Sequence, residues 1–494
     1  MFSRSYSKVG FNFKLDKSFL GRKQIRIRPD PLDRSYMRSK LSCDVANRIG
    51  LPSIQAAYVR LYINNEYWGL YTLMDTVKTS WIKQTFKPVD EEVTTLFQCK
   101  VKGMNLTPGT ESLCNNANDD YPDMSAFNDF IKQINEATTT EEIEEIMDVE
   151  VFLKFMAMEW LIGSFDHLLV IGHNFNFYQR ESDHKWVIIE YDYDNTFGLN
   201  LMFPRYWISK QDKITLEDLE SIASYEELIA TDWAMDYYNS IVPIELTFAE
   251  WELDLPIIKI LVHDNPERFK RIVREVLVSA FNPTILFDHI NKLKEFLKPY
   301  VIEDNVPKDD GILPGRINKK NTQEPLTMEE FEDEIETKPQ FSEGVKRWIK
   351  ERFENACKQY GFDPEEIINE SLKYVPKGYD YDNSGKQVSP QNNINNNPDQ
   401  LDNDSDCWSE KYGYSCCKHC FVIEVDEYGQ WGSENQQWCG IKESVCKTNE
   451  ESGHCYGATT KEYLCCKGCE VVLTDQNGDW GYENNQWCSI SYSC

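Results

Sequence analysis

The sequence predicts an α+β protein that carries two small disulfide-rich β modules at its C-terminus. Short alternation of apolar and polar residues, the period of β-strands, dominates residues 11–73, whereas helical periodicity dominates residues 124–165 and 255–300. The cysteines are concentrated near the C-terminus, where residues 407–494 contain 12 of the 16. A chain of 494 residues is too long for one hydrophobic core, so we expect one large domain with appended modules.

The N-terminal lobe is predicted to be rich in strands. Residues 11–15 and 24–28 alternate as strands, and residues 57–63 and 67–73 form a hairpin around Asn64 and Asn65. Apolar residues at helical spacing predict a helical stretch that follows Asp33 and ends at Gly50, with Met37, Leu41, Val45 and Ile49 on its apolar face. The remainder is predicted to be helical at residues 124–136, 141–165, 255–300 and 341–360, with a further strand pair at residues 174–179 and 186–191.

Two segments have the composition of linkers. Residues 303–340 are rich in Asp, Glu, Lys and Pro, so we expect a mobile insertion within the large domain. Residues 376–406 are rich in Asn and Asp and cannot bury enough apolar surface to order themselves, which predicts a flexible linker. The resulting boundaries are residues 1–375 for the large domain, 376–406 for the linker, and 407–446 and 455–494 for the two modules.

Charge restricts the class of partner. The formal net charge is -30, from 82 acidic and 52 basic residues. This excess disfavours nucleic acid and anionic membrane surfaces, and no apolar run reaches the length of about 18 residues that indicates a membrane span. We therefore expect no nucleic-acid partner and no membrane partner.

The cysteines also indicate a compartment. Cysteine at this density belongs to oxidising environments, so we expect a secreted, extracellular protein. The first residues lack the basic, apolar and small-residue succession of a signal peptide, and we therefore expect the sequence to begin inside a longer precursor. Three Asn-x-Ser/Thr sequons, at Asn105, Asn369 and Asn403, fit a secreted glycoprotein.

The two C-terminal modules are copies of one unit at an offset of 48 or 49 residues. Units of about 40 residues need covalent staples, because so short a chain buries too little apolar surface. Six cysteines in each unit predict three disulfides whose connectivity stays open, and the alternative is zinc bound through the two Cys-x-x-Cys pairs. The cysteines are Cys407, Cys416, Cys417, Cys420, Cys439 and Cys446 in the first module, and Cys455, Cys465, Cys466, Cys469, Cys488 and Cys494 in the second.

Four cysteines lie outside the modules. Cys99 and Cys114 bracket a loop that contains Gly and Pro, and we expect them to form a disulfide. Cys43 and Cys357 are left as a further pair.

The first module contains Cys-Trp, Gly-Tyr-x-Cys-Cys-x-x-Cys and Asp-x-x-Gly-x-Trp-Gly-x-Glu-Asn-x-x-Trp-Cys, and the second repeats this pattern with Glu-Tyr in place of Gly-Tyr. The pattern resembles the dockerin modules of anaerobic-fungus cellulosomes, which are related to family 10 carbohydrate-binding modules. The resemblance implies a cohesin-like scaffold protein (scaffoldin) as partner, bound through aromatic residues and a carboxylate. These residues are Tyr414, Asp426, Trp431, Trp438, Tyr463, Asp475, Trp480 and Trp487. The alternatives are that the aromatics pack the module core or stack on sugars.

The large domain contains one arrangement of polar residues that indicates catalysis. Asp166 follows a predicted helix, Asn174 comes eight residues later, and Asp192 ends an apolar strand. Metal-assisted phosphoryl transfer uses these residue types, because one carboxylate orients the attacking hydroxyl while an amide and a second carboxylate hold magnesium on the phosphates.

Five segments surround these residues in a fixed order: Phe-Lys-Leu, Arg-Pro-Asp-Pro-Leu-Asp-Arg-Ser-Tyr-Met-Arg-Ser-Lys-Leu, Asn-Asn-Glu-Tyr-Trp-Gly-Leu-Tyr, Gly-His-Asn-Phe and Tyr-Asp-Tyr-Asp-Asn-Thr-Phe-Gly. As a set they resemble the spore-coat CotH kinase family, atypical relatives of protein kinases, over residues 8–300. The resemblance implies a bilobal kinase-like domain that uses ATP and Mg²⁺ or Mn²⁺ to phosphorylate Ser or Thr hydroxyls of a protein substrate.

The resemblance also implies roles for single residues. Asp166 matches the catalytic acid of the loop, Asn174 and Asp192 match the metal ligands, and Asp194 adds to the metal site. Lys14, Arg26 and Arg28 alternate on strands and are the candidate nucleotide-binding residues. The sequence departs from the kinase pattern in lacking Gly-x-Gly-x-x-Gly near its start, and Asp75 stands where relatives often have Glu.

Two alternatives to a kinase stay open. The domain keeps a kinase-like shape and serves as a catalytically silent scaffold, or it is a plant-cell-wall hydrolase with Asp166 and Asp192 or Asp194 as paired carboxylates. His167 and His173 are interpreted as structural residues in each case.

Overall fold

The structure is a computed structural model that describes residues 6–376 apart from residues 20, 91, 202–241, 318–324, 338, 340 and 341. Farther along the chain it describes residues 409 and 441 and eight short strands. The chain divides into two compact units, Met1–Asn393 and Ile394–Cys494. Among the described residues, no helix combines the length and the hydropathy needed to cross a membrane.

An antiparallel sheet forms the N-terminal lobe. Its strands are β1 (Phe11–Phe19), β2 (Arg22–Arg28), β3 (Ala56–Ile63) and β4 (Glu66–Asp75), in the order β1-β2-β4-β3, with α1 (Arg38–Arg48) between β2 and β3. The predicted hairpin is present. Asn64 and Asn65 close it with φ angles of 52° and 64°, values that Asn tolerates better than most residues.

A second antiparallel sheet lies at the centre of the large unit. It contains β5 (Leu96–Cys99), β6 (Cys114–Asn116), β7 (Phe175–Gln179) and β8 (Trp186–Glu190), in the order β6-β5-β7-β8. One face packs on α3 (Ser125–Glu136), where the Phe130 and Trp186 rings stack at 4.5 Å. The helix α2 (Thr79–Phe86) precedes this sheet.

The predicted helix over residues 141–165 is two helices, α4 (Thr140–Ile146) and α5 (Val149–Ile162). The chain breaks between them because the Asp148 carboxylate accepts the Val151 N–H at 3.1 Å and caps α5. Nearly every side chain of α5 is buried, as expected for the central helix of a core. Gly163 ends it at φ 67°, and a Cβ there would lie 2.3 Å from the Trp348 ring.

Helices dominate the rest of the large unit and confirm the predicted α+β class. They are α6 (Phe248–Trp251), α7 (Pro256–Ile258), α8 (Pro266–Ser279), α9 (Pro283–Asp304), α10 (Met328–Glu336), α11 (Val345–Tyr360) and α12 (Pro364–Ser371).

The expectation of a mobile insertion at residues 303–340 is wrong for the described part of that segment. Phe331 and Ile335, one turn apart on α10, are fully buried in the main core. Asp304 is also fully buried, and its carboxylate accepts hydrogen bonds from Lys8 Nζ at 2.7 Å and from Arg316 Nη1 at 3.1 Å. The acidic composition misled the prediction, because it concealed two apolar residues at helical spacing.

The two modules have the same sheet. In the first, β9 (Ser415–Cys416), β10 (Glu424–Asp426), β11 (Gly429–Glu434) and β12 (Gln437–Gly440) are ordered β10-β11-β12-β9. In the second, β13 (Leu464–Cys465), β14 (Leu473–Asp475), β15 (Gly478–Glu483) and β16 (Gln486–Ser489) repeat this order and register.

The register places three predicted scaffold-binding residues of each module on one face. Trp431 pairs with Glu424 and Ser433 pairs with Trp438, so strand alternation puts Asp426, Trp431 and Trp438 on the same side. Cys439, opposite Gly432, belongs to the other side and is buried. The same parity applies to Asp475, Trp480 and Trp487. Tyr414 and Tyr463 lie outside the described residues.

Cys99 and Cys114 form the expected disulfide, with Cα atoms 4.2 Å apart. The pairing of Cys43 with Cys357 is wrong, because both are buried free thiols. They lie on α1 and α11 and act there as small apolar side chains. In the first module, Cys416 and Cys439 each take part in a disulfide. The structure does not describe Cys407, Cys417, Cys420, Cys446, Cys455, Cys466, Cys469 or Cys494, and it gives only the backbone of Cys465 and Cys488.

We expect all twelve cysteines of residues 407–494 to be oxidised, with every bridge inside one module. Each repeated unit must be stable alone, and a 40-residue unit needs its own staples. Mass spectrometry of unreduced proteolytic fragments measures this directly. A bridge between the modules, or a free thiol in either of them, would contradict the prediction.

Candidate active site

A cleft of about 1290 Å³ opens between the first sheet and the ends of β5, β7 and β8. The seven residues predicted for catalysis, metal binding and nucleotide binding all line it: Lys14, Arg26, Arg28, Asp166, Asn174, Asp192 and Asp194. The structure therefore brings together side chains that are up to 180 residues apart in the sequence.

The catalytic-loop residue Asp166 lies just after α5 and caps no helix. Its carboxylate accepts a hydrogen bond from Asn195 Nδ2 at 2.7 Å and lies 3.5 Å from His173 Nε2. Burial raises the pKa of Asp166, but the nearby His173 and the hydrogen bond from Asn195 outweigh it, and the net pKa is lowered. Asp166 is therefore an ionised hydrogen-bond acceptor at neutral pH. Asn200 Nδ2 in turn donates to the side-chain oxygen Asn195 Oδ1 at 2.6 Å.

His167 is structural, as the sequence predicted. Its ring is fully buried, with Nδ1 2.5 Å from Ser164 Oγ and Nε2 2.9 Å from the Tyr191 carbonyl oxygen. Burial lowers the pKa of His167 to about 4, so the ring stays neutral. It ties the loop that carries Asp166 to the strand end that carries Asp192.

The two predicted metal ligands share an unusual backbone conformation. Asn174 has a φ of 65° and Asp192 a φ of 75°, both in the left-handed region. The Tyr191 N–H donates to the Asn174 carbonyl at 3.0 Å, and the Asn174 N–H donates to the Cys99 carbonyl at 3.0 Å. Residues held in this region cost free energy and cluster at functional sites, where the surrounding structure enforces them.

Two arginines of β2 face the metal-ligand candidates, and we call Arg26 and Arg28 the arginine wall. Arg28 donates from Nη1 to Asp192 Oδ1 at 2.5 Å and from Nη2 to Asp194 Oδ2 at 2.6 Å. Arg26 Nη2 lies 3.3 Å from Asp192 Oδ2. Lys14 of β1 is exposed and lines the same side of the cleft.

The carboxylates of the cleft repel one another. Burial raises the pKa of Asp194 to about 8; Arg28 lowers it, and the charges of Asp192, Asp30 and Asp166 raise it further. Burial likewise raises the pKa of Asp30 to about 6. A bound divalent cation would reduce the repulsion between these carboxylates and lower their pKa values.

The donor set fits Mg²⁺ or Mn²⁺. Asn174, Asp192 and Asp194 supply amide and carboxylate oxygens, the ligands that Mg²⁺ prefers. In the part of the chain that the structure describes, no three His, Cys, Asp or Glu side chains form a complete metal cage. In kinases the protein supplies only one or two carboxylates to Mg²⁺, and substrate phosphates and water complete the coordination.

The sequence prediction missed several residues of the cleft. Lys78, Lys100 and Lys102 line it, as does Asn195, which holds Asp166. Polar residues recur at every second position from the end of β5 onward, at Gln98, Lys100 and Lys102. This two-residue period is the signal in the sequence that could have placed the lysines on the cleft side of the strand. Asp75, which departs from the family pattern, pairs with Arg22 and accepts the Gln55 N–H at 2.9 Å.

An α+β domain with an acid, an amide and a second acid around one cleft has the organisation of an atypical protein kinase. Residues 1–349 match the family described as CotH kinase protein, and the chain belongs to this family. Residues 406–441 and 454–490 match a cellulose or protein binding domain, the family of the fungal dockerins.

The large domain is similar to curated CotH proteins. Invasin CotH3 of Rhizopus delemar is 27% identical over 35% of this chain and 31% of its own length. Inner spore coat protein H of Bacillus subtilis is 21% identical over 62% of this chain and 77% of its own length. The chain thus spans about a third of the first of these relatives. A module is 51% identical to part of feruloyl esterase B of Piromyces equi, over 9% of each chain.

Solved structures show partial similarity. The double dockerin from Piromyces equi Cel45A is 38% identical and matches 18% of this chain and 88% of its own, with a TM-score of 0.10. The Helicobacter pylori proinflammatory kinase CtkA is 11% identical and matches 71% of this chain and 88% of its own, with a TM-score of 0.23.

Proposed function

We propose that the large domain transfers phosphate from ATP to Ser or Thr hydroxyls of a protein substrate, and that the modules tether it to a scaffold protein. The convergence of Asp166, Asn174 and Asp192 around one cleft carries this proposal. Family membership over residues 1–349 supports it.

Each residue has a distinct role in the proposed reaction. The Ser or Thr oxygen forms a bond to the γ-phosphorus, the bond from that phosphorus to the ADP oxygen breaks, and the hydroxyl proton passes to Asp166. Asn174, Asp192 and Asp194 would hold the divalent cation. When bound, this cation neutralises charge on the phosphate oxygens. Arg26, Arg28 and Lys14 would contact the phosphates. The ionised state of Asp166 suits a proton acceptor.

One observation favours the silent-scaffold alternative. Arg28 donates to both the Asp192 and the Asp194 carboxylates, with Nη–Oδ distances of 2.5 and 2.6 Å. A kinase must exchange these contacts for the cation and turn Arg28 toward phosphate, whereas a scaffold keeps them. The hydrolase alternative gains no support from the family match.

We expect the full chain to bind ATP only when Mg²⁺ or Mn²⁺ is present, and to transfer labelled phosphate to itself or to an added protein. The cation is required because the carboxylates otherwise repel the phosphates. Calorimetric titration with and without EDTA measures binding, and radiolabel incorporation measures transfer. No ATP binding with either metal would leave the silent scaffold as the function.

The modules are proposed to dock a cohesin-like scaffold protein outside the cell. Support comes from the fungal-dockerin family match and from the common sheet face of Asp426, Trp431 and Trp438. Aromatic residues are the most frequent anchors of protein interfaces. A secreted, cellulosome-bound glycoprotein is consistent with this partner. Of its sequons, Asn369 is exposed and Asn105 is half-buried.

A further inference from the structure

Three lysines at one side of the cleft form no ion pair among the described residues, although Asp119 lies near Lys100. Lys78, Lys100 and Lys102 all line the cleft, and Lys100 and Lys102 are exposed. Within the described ranges, none of them lies within 4 Å of a carboxylate, and Lys78 Nζ reaches only the Ala117 carbonyl at 3.4 Å. Such a cluster is unexpected in a chain with a net charge of -30. It makes this side of the cleft positive.

The lysines belong to the catalytic side of the cleft. Backbone hydrogen bonds fix the loop of Lys100 and Lys102 to the segment between Asp166 and Asn174: Gly103 N–H donates to the Ile171 carbonyl at 2.9 Å, and Met104 N–H to the Gly172 carbonyl at 3.0 Å. At Gly172, with a φ of 71°, a Cβ would lie 2.2 Å from the Met104 oxygen. The two loops therefore act as one rigid support.

Two buried polar side chains lie in the cleft together with the lysines. Gln98 and Tyr191 line the cleft with 6% and 8% of their surface exposed. The Gln98 side chain lies within reach of Tyr191, and Gln98 Oε1 makes no hydrogen bond in the described part of the molecule. Unpaired buried polar atoms are rare in folded proteins and indicate a water molecule or a ligand.

We propose that Lys78, Lys100, Lys102, Gln98 and Tyr191 form a lysine subsite that binds carboxylates of an acidic acceptor segment next to Asp166. The inference rests on the proposed function. It assigns the lysines to the acceptor because the loop of Lys100 and Lys102 is hydrogen-bonded to the segment that follows Asp166, and Lys78 lies near Lys100. The arginine wall lies on the other sheet and already contacts the metal-ligand candidates. Lysine carries a compact point charge on a flexible stem, so it can pair with a carboxylate without the fixed fork geometry of arginine.

Peptide binding to the full chain tests the subsite without nucleotide or metal. The probes are a fluorescent peptide with one Ser flanked by Asp and the same peptide with Asn in place of each Asp. Fluorescence anisotropy should show about tenfold tighter binding of the Asp peptide, decreasing as salt rises. The variant Lys100→Glu with Lys102→Glu should lose this preference.

A matched variant controls for net charge. Lys350→Glu with Lys358→Glu makes the same charge change on exposed positions of α11 and should keep the preference. Equal loss in both double variants would overturn the proposal, since general electrostatics would then account for the binding. If the Glu variant fails to fold, Lys100→Gln with Lys102→Gln provides the same comparison.

Two further outcomes separate this inference from the proposed function. If the lysine variant weakens ATP binding and leaves peptide binding unchanged, the lysines bind nucleotide phosphate and the proposal is overturned. If the wild-type chain prefers the Asp peptide but transfers no phosphate to it, the lysine subsite stands and the kinase function fails. Phosphate transfer to both peptides with equal KM would overturn the subsite while the kinase function stands.

Discussion

Replacing Asp192 with alanine is expected to abolish both phosphoryl transfer and metal-dependent ATP binding, whereas Asp166→Ala should abolish transfer alone. The reason is a division of labour between the two carboxylates. Asp192 would hold the cation on the phosphates, and Asp166 would contact the acceptor hydroxyl and act mainly during transfer. For Asp166→Ala we expect a loss of transfer rate of about 100- to 10,000-fold, the usual contribution of a positioned general base.

Calorimetry with MgATP and radiolabel transfer measure the two effects separately. Asp129→Ala is the matched control, because it removes an exposed aspartate of α3 far from the cleft. If either carboxylate served only as a cap or turn residue, its loss would cost about 0.5–2 kcal/mol of unfolding free energy and leave ATP binding intact. Thermal unfolding of each variant shows whether that applies. Equal weakening of ATP binding in both variants would contradict the division of labour.

Combined replacement of Trp431 and Trp480 by alanine should abolish retention on a native scaffold protein. Each tryptophan is expected to contribute at least about 2 kcal/mol to its own interface, as buried aromatic anchors do. Single replacements should weaken retention less, because the second module still holds and linked modules gain avidity. Retention on immobilised scaffold, measured for both singles and the double, tests this order.

The control for this experiment lies on the opposite sheet face. Gln430 and Asp479 neighbour the two tryptophans on β11 and β15, and strand alternation assigns these positions to the opposite face of the sheet. Their joint replacement by alanine should keep retention. Undiminished binding by the tryptophan double variant would reject the docking assignment, and loss of binding to cellulose alone would indicate sugar stacking instead.

Local pattern was sufficient for much of the fold. The β3–β4 hairpin, the β7–β8 pair and α11 follow from alternation, turn residues and helical spacing, and all are present. Asp33 was predicted to precede the helix, but the sequence did not show that α1 begins five residues later, at Arg38. The Asp33 carboxylate accepts the Arg38 N–H at 2.8 Å and holds a turn before the helix begins. Such a choice between turn and helix depends on tertiary contacts.

The sequence was sufficient to predict which residues form the site, but it was not sufficient to predict which of them contact one another. Asp166, Asn174 and Asp192 stand out by type and position along the chain. The pairing of Arg28 with Asp192 spans 164 residues and depends on how two sheets face each other. Lys100 and Lys102 were missed because a short strand followed by lysines has the pattern of a solvated surface. Only the backbone bonds to residues 171 and 172 place them beside the catalytic loop.

The Cys99–Cys114 disulfide sets a condition on how the protein can be produced. The bond closes a span of 15 residues, a constraint worth about 3 kcal/mol, and the Cys99 carbonyl holds the Asn174 N–H. Synthesis in a reducing bacterial cytosol would leave this loop without its covalent link beside Asn174, the metal-ligand candidate. Folding in an oxidising lumen, where protein disulfide isomerase acts, suits this kinase-like domain as much as it suits the modules that follow it.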